Sequence, residues 1–170
     1  RSMLQKNIIY SILFLSISLS SCKKEDENVP NDGIYIPSDT ITNTDTAQLS
    51  RIEFEVSTFR NTNGMIVGAL FNSASGYSNN SIYRSSIISL TTTTAFLAFD
   101  SIPSGEYSFS CFHDEDGNGL LNTNAFGIPS EGFGFSNNPG ITFGLPSFSS
   151  IKFSVTAGDT VSKTINLIYL

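Results

Sequence analysis

The residues that could do chemistry lie between His113 and Asn138. Asp114-x-Asp116-x-Asn118-Gly119-x-x-Asn122 puts oxygen-bearing side chains at positions 1, 3, 5 and 9 of an EF-hand-type calcium loop, with glycine at position 6. On a tightly coiled segment alternate side chains converge on one centre, Gly119 permits the sharp turn, and the Leu120 carbonyl can join the shell. Position 12, where such a loop carries a bidentate Glu, is Ala125, and Asn122 brings no charge. Either another acid completes the shell, with Glu131 the candidate, or affinity is weak. The candidate ligands are therefore Asp114, Asp116, Asn118, Leu120, Asn122 and Glu131, and the candidate cofactor is calcium. The competing reading is an Asx-rich turn whose side chains bond their own backbone. Neighbouring carboxylates without a cation repel, which favours the ion.

A hydrolase would have to be assembled from His113, the sole histidine, with Asp114 and Asp116 beside it and Ser136 or Cys111 as nucleophile. On a strand His113 and Asp114 point to opposite faces. Cys111 shares the core-facing side with Phe109 and has no cationic neighbour to lower its pKa. His113 falls on that same side and reads as a satisfied histidine at the edge of the core. Zinc would want more His or Cys ligands than the chain offers. The sequence thus predicts a protein that is not an enzyme, with a hydrolase using His113 as the weaker alternative.

The elements that must position this loop read as strands. Ile52, Phe54 and Val56 alternate with charged residues, the pattern of a half-buried strand. After a turn at Asn61-Thr62-Asn63-Gly64, Met65 to Phe71 is a short apolar run suited to a strand buried on both faces. Ser73 to Asn80 reads as loop and Ile82 to Leu90 as an edge strand. Thr94 to Phe99 leads through a Pro/Gly turn at 101–105 into a strand with Tyr107, Phe109 and Cys111 on one face. Ile151, Phe153 and Val155 alternate again, and Ile165, Leu167 and Tyr169 share a face after the turn at Ala157-Gly158-Asp159. No stretch shows helical spacing with caps. The expected fold is all-β, an antiparallel β-sandwich of about seven strands with one long ordered loop over 114–148. A non-strand insertion of that length inside a compact domain must be functional or internally braced, and an ion could brace it. Phe126, Phe133, Phe135 and Phe143 form either a satellite core under the loop, the favoured reading, or an exposed aromatic platform.

The first residues are a targeting segment. Lys6 and the apolar run Ile8 to Leu19 make a signal peptide over 1–21, too short for a membrane span. Leu19-Ser20-Ser21-Cys22 resembles a bacterial lipobox, which makes Cys22 the lipidation site. Lys23-Lys24-Glu25-Asp26-Glu27 resembles the lipoprotein export signal of Bacteroidota. The lipidated Cys22 and a flexible tether then occupy 22–48, and the sandwich domain 49–170. Lipidation would consume Cys22 and leave Cys111 without a disulfide partner. The expected location is the outer membrane, through a lipid anchor, with surface exposure open. Fifteen acids against nine Lys and Arg, a net charge of −6, argue against nucleic acid.

His113-Asp114-x-x-x-Asn118-Gly119, Asn122-x-Asn124, Gly127-Ile128-Pro129-x-Glu131-Gly132-x-Gly134-Phe135-Ser136-Asn137-Asn138 and Pro146-Ser147-Phe148 together resemble a family of secreted bacterial proteins known only as a domain of unknown function. The resemblance runs from about Ile52 to Leu170. The family usually has Lys-Leu-Asp where this chain has Leu120-Leu121-Asn122, an acid exchanged for an amide that weakens the expectation of tight metal binding. The resemblance implies a compact extracytoplasmic sandwich of transthyretin-like or immunoglobulin-like build, similar to peptidase-regulatory modules, and no reaction. Two functional readings follow. One is a non-catalytic, calcium-stabilised surface module with a glycan or protein ligand. The other is a structural or accessory subunit of an outer-membrane complex, joined through an edge strand. Neither fixes an oligomeric state.

Overall fold

The computed structural model describes residues 48–140 and 144–170. The expected signal peptide, the expected lipidation site Cys22 and the expected tether, up to residue 47, lie outside the described residues, as does Phe143. The chain forms β1 (Ser50–Ser57), β2 (Met65–Phe71), α1 (Ala74–Ser78), β3 (Arg84–Ser89), β4 (Ala95–Ile102), β5 (Gly105–Asp114), β6 (Phe133–Phe135), α2 (Phe148–Ile151), β7 (Phe153–Val155) and β8 (Thr160–Asn166). Two sheets pack together, one in the order β4-β1-β8 and the other β3-β2-β5-β6, with β7 joining the second sheet on β5. The fold is the expected β-sandwich, with eight strands.

Alternation decides which faces meet. Ile52, Phe54 and Val56 of β1, Leu97 and Phe99 of β4 and Ile165 of β8 face Ile66 and Leu70 of β2, Phe109 of β5 and Phe153 of β7 in one core. At its centre Phe54 stacks on Phe109, with ring centroids 3.8 Å apart, while Phe99 and Phe153 meet Phe54 edge-on. Burying each such side chain contributes about 1.5–3 kcal/mol, so these four rings carry much of what holds the sheets together.

The structure corrects the expected fold in several places. The sandwich is not antiparallel throughout, because β1 and β8 pair in parallel, from Arg51 with Thr160 to Ser57 with Asn166. The interval 114–148 is not free of regular structure: Phe133–Phe135 pair with Ser110–Phe112 of β5, and Phe148 opens α2. Ile151 belongs to that helix rather than to a strand. Ser101 and Ile102, read as part of a turn, extend β4. Ser73 to Asn80 contains α1, capped by the Ser73 side chain, which accepts from the Gly76 N–H. Single-turn helices are too short to show a 3.6-residue period, so caps are their only sequence signal.

Two consecutive asparagines join the layers. Asn138 donates through Nδ2 to the Thr164 carbonyl and accepts the Asn166 N–H through Oδ1, both at 2.8 Å, as a neighbouring strand would. Asn137 donates to the carbonyls of Lys152 and Ser150 and accepts from Lys163 Nζ. Both residues have positive φ, 65° and 45°, a region asparagine tolerates. The outer edge of β8 is thereby covered, while β3 and β4 end their sheets with no further strand beyond them among the described residues.

Candidate metal centre

Asp114 is the last residue of β5, opposite Met65 of β2, and its side chain is fully buried. The backbone then coils around that carboxylate. Asn118 N–H donates to Asp114 Oδ1 (3.1 Å) and Gly119 N–H to Oδ2 (2.8 Å). Gly117 and Gly119, at φ 73° and 77°, supply the left-handed turns that the coil requires. Asp116 Oδ1 also accepts the Asn118 N–H, and its Oδ2 accepts from the side-chain amides of Asn118 (3.0 Å) and Asn122 (2.8 Å). The Asn122 amide holds the Asp116 carboxyl below its ordinary range, against a smaller opposing effect of burial.

Past Asn122 the chain makes a tight hairpin, with Thr123 bridged to Pro129 and Ser130 N–H donating to the Asn122 carbonyl. This return delivers Glu131, 4% exposed, against the coil. Glu131 Oε1 accepts the Glu115 N–H and Oε2 the Asn122 N–H, both at 2.8 Å, so one carboxylate clips the two ends of the loop. Ligand atoms of Asp114, Asp116 and Glu131 lie within 4.8 Å of one another. A carboxylate offers about four lone pairs, and each oxygen of Asp114 and Glu131 is used by one N–H here, so acceptor capacity remains on all four. Among the described residues none of the three acids forms an ion pair. Hard oxygens, converging negative charge and no protein cation make a donor set that fits a hard divalent ion.

The structure therefore brings together Asp114, Asp116, Asn118, Asn122 and Glu131. Leu120 reaches this group through its backbone, its N–H donating to Asn118 Oδ1, with the side chain exposed. Both amides currently turn Nδ2 toward Asp116, so an ion at that position would be met by their Oδ1 atoms only after amide rotation. Of the loop phenylalanines, Phe126 is 89% exposed at the hairpin tip, Phe133 half-buried and Phe135 buried. Phe133 and Phe135 meet edge-on with ring centroids 6.0 Å apart, while Phe126 stands out in solvent, so the three described rings form no single platform.

The residues weighed for hydrolysis are spread apart in role. His113 is fully buried, with Nε2 2.7 Å from the Asn63 carbonyl and Nδ1 2.8 Å from the Tyr169 hydroxyl. A carbonyl can only accept, so Nε2 donates to Asn63 while Nδ1 faces the Tyr169 hydroxyl. Ser136 Oγ donates to the backbone carbonyls of Ile151 and Phe109. Burial pushes the Cys111 thiol far up, with a weaker opposing effect from its bond to Gly134.

Sequence reasoning missed a supporting layer drawn from residues 60–64 and 169. Arg60 reaches Glu115 at 2.7 Å and the Ser130 carbonyl at 3.1 Å, and Asn61 Nδ2 donates to Glu115 Oε2. Burial opposes ionisation of Glu115, but the bonds from Asn61 and Arg60 outweigh it and hold the carboxyl below its usual range. Gly64 (φ 67°) sits so close behind the loop that a Cβ there would lie 1.9 Å from the Asp114 carbonyl oxygen. Asn61-Thr62-Asn63-Gly64 read only as a turn, and nothing in its composition shows which loop it backs.

A family model described as an uncharacterised protein conserved in bacteria, DUF2141, matches residues 54–163, from the middle of β1 into β8 and across the whole loop. No curated protein and no solved structure matches the chain.

Proposed function

We propose that this chain, which belongs to the bacterial DUF2141 family, is a non-catalytic binding module whose long loop is braced by calcium. The observation that carries the reading is the convergence of Asp114, Asp116 and Glu131, two of them buried and none in an ion pair among the described residues. Backbone N–H bonds offset part of the cost of holding these charges together, and an ion would offset more of it. The occupation of both His113 nitrogens and the burial of Cys111 and Ser136 support a non-catalytic role.

The lipobox-like Cys22 and the segment after it extend the proposal to a lipoprotein of the outer membrane. Gln48 enters beside Gly158 at the start of β1, and the candidate metal loop lies beyond the other end of that strand. Eight residues of strand separate the two poles by roughly 23 Å. The loop pole is the face proposed to take a glycan or protein ligand. The alternative reading, an accessory subunit, draws on the uncovered edges of β3 and β4, which carry the exposed side chains Ile87 and Phe96.

The test is a melting experiment on the full chain stripped with a chelator, with and without calcium or magnesium. A ligand that binds only the folded state stabilises it by about 2.7 kcal/mol at a hundredfold excess over Kd. A calcium-selective rise in Tm, lost in Asp116→Ala, is expected. No rise would leave a self-supporting Asx turn and overturn the proposal.

A further inference from the structure

We propose that Asn118-Gly119 is a self-modifying site, at which the Asn118 amide converts to a carboxylate through a cyclic imide. The chain holds two Asn-Gly pairs, Asn63-Gly64 and Asn118-Gly119. A glycine lets its backbone nitrogen approach the preceding side chain without hindrance, so both pairs share the intrinsic reactivity. The folded structure separates them.

At Asn118 the groups that the reaction needs are already in place. The nucleophile, Gly119 N–H, donates to Asp114 Oδ2 at 2.8 Å. The electrophile is polarised, because Asn118 Oδ1 accepts the Leu120 N–H at 2.7 Å. The leaving nitrogen, Nδ2, donates to Asp116 Oδ2 at 3.0 Å and to Asn122 Oδ1 at 2.9 Å, which fixes the amide plane beside Gly119. Asn118 is exposed, and no atom lies within 4 Å of the open flank of Gly119. At Asn63 the peptide is clamped instead: its carbonyl accepts from His113 Nε2, the Gly64 carbonyl accepts from Leu90 N–H, and Gly64 abuts the Asp114 carbonyl.

In the step itself Gly119 N attacks Asn118 Cγ as its proton passes to Asp114 Oδ2. The carbonyl electron pair moves onto Oδ1, held by the Leu120 N–H. Collapse breaks the Cγ–Nδ2 bond, and the nitrogen takes up the proton and leaves as ammonia. Water then opens the imide. Attack at Cγ restores the main chain with aspartate at position 118, whereas attack at the α-carbonyl gives the isoaspartyl linkage. The aspartate product places an acid at positions 1, 3 and 5 of the coil. Its consequence for ion affinity rests on the metal reading above, although the conversion does not.

The test follows both pairs by peptide mass in the full chain, held at neutral pH with chelator, with calcium, or unfolded in urea. The expected result is equal rates in urea and, in the folded protein with chelator, conversion of Asn118 faster than Asn63 by about tenfold or more, well within what a positioned base supplies. Calcium on Asp114 should slow it. Asn118→Gln, which would need a larger ring, should lose the product. Folded-state conversion of Asn118 no faster than that of Asn63 would overturn the proposal. Fast conversion untouched by calcium would uphold it and count against the metal reading, and calcium-induced stabilisation without conversion would do the reverse.

Discussion

Glu131→Gln separates a carboxylate that merely clips a loop from one that also awaits an ion. The substitution keeps the shape, but one of the two oxygens becomes an NH2 facing a backbone N–H, so one of the bonds to Glu115 and Asn122 is lost. A hydrogen bond to a charged group is worth about 1.5–3 kcal/mol, which sets the loss. The same change removes a negative charge lying within 4.8 Å of those on Asp114 and Asp116. At an effective dielectric of about 20, relief of the repulsion from buried Asp114 at that distance is worth about 3 kcal/mol. Screening is strong at exposed Asp116, so the Asp114 contact dominates. The two effects nearly cancel, and in chelator the variant should match the parent to within about 1 kcal/mol. In saturating calcium the parent gains its binding energy while the variant, short of one anionic ligand, gains less, opening a gap of about 2–3 kcal/mol. Urea unfolding with linear extrapolation, run on both proteins in chelator and in calcium, reads this directly. An equal loss of more than about 2 kcal/mol in both media would refute the reasoning, since the clip would then be the whole of what Glu131 does.

Two further perturbations probe the frame. Glu115 titrates below its ordinary value in the folded state, so its contribution is present at neutral pH and is lost as pH falls through the folded-state value. Glu115→Gln should therefore flatten the acid limb of stability as pH falls from the ordinary carboxylate range through the lower folded-state value, with parent and variant converging at the low end, as urea midpoints at each pH would show. Asn138→Gly keeps the left-handed backbone but removes both bonds to β8, costing about 1–3 kcal/mol and exposing the edge. Urea unfolding and light scattering should then report lower stability together with concentration-dependent association.

Sequence patterning showed the strands well wherever one face is buried and the other wet, because a period of two is then enforced residue by residue, as in Ile52, Phe54 and Val56. It also placed Glu131 with Asp114 and Asp116, since a loop short of its twelfth ligand needs an acid within reach. It could not show that the acid arrives by way of a hairpin whose Asn124 side chain caps its own turn. Nor could it show the parallel pairing of β1 with β8, because register between distant segments leaves no mark on either one. The support from Arg60, Asn61 and Tyr169 was hidden for the same reason: it is contact across the chain, not pattern along it.

That parallel pair has a consequence in time. β1 sits between β4 and β8, so the first strand of the domain has only one neighbour until more than a hundred residues after it have been made. Closing such a long loop must precede the reward of the contacts it brings, which places this sheet among the slow, non-local topologies. Until β8 arrives, one edge of β1 stays without a partner strand. A chain interrupted before Thr160 would therefore hold a two-stranded remnant of its first sheet, with an open edge that leaves it most exposed to proteases.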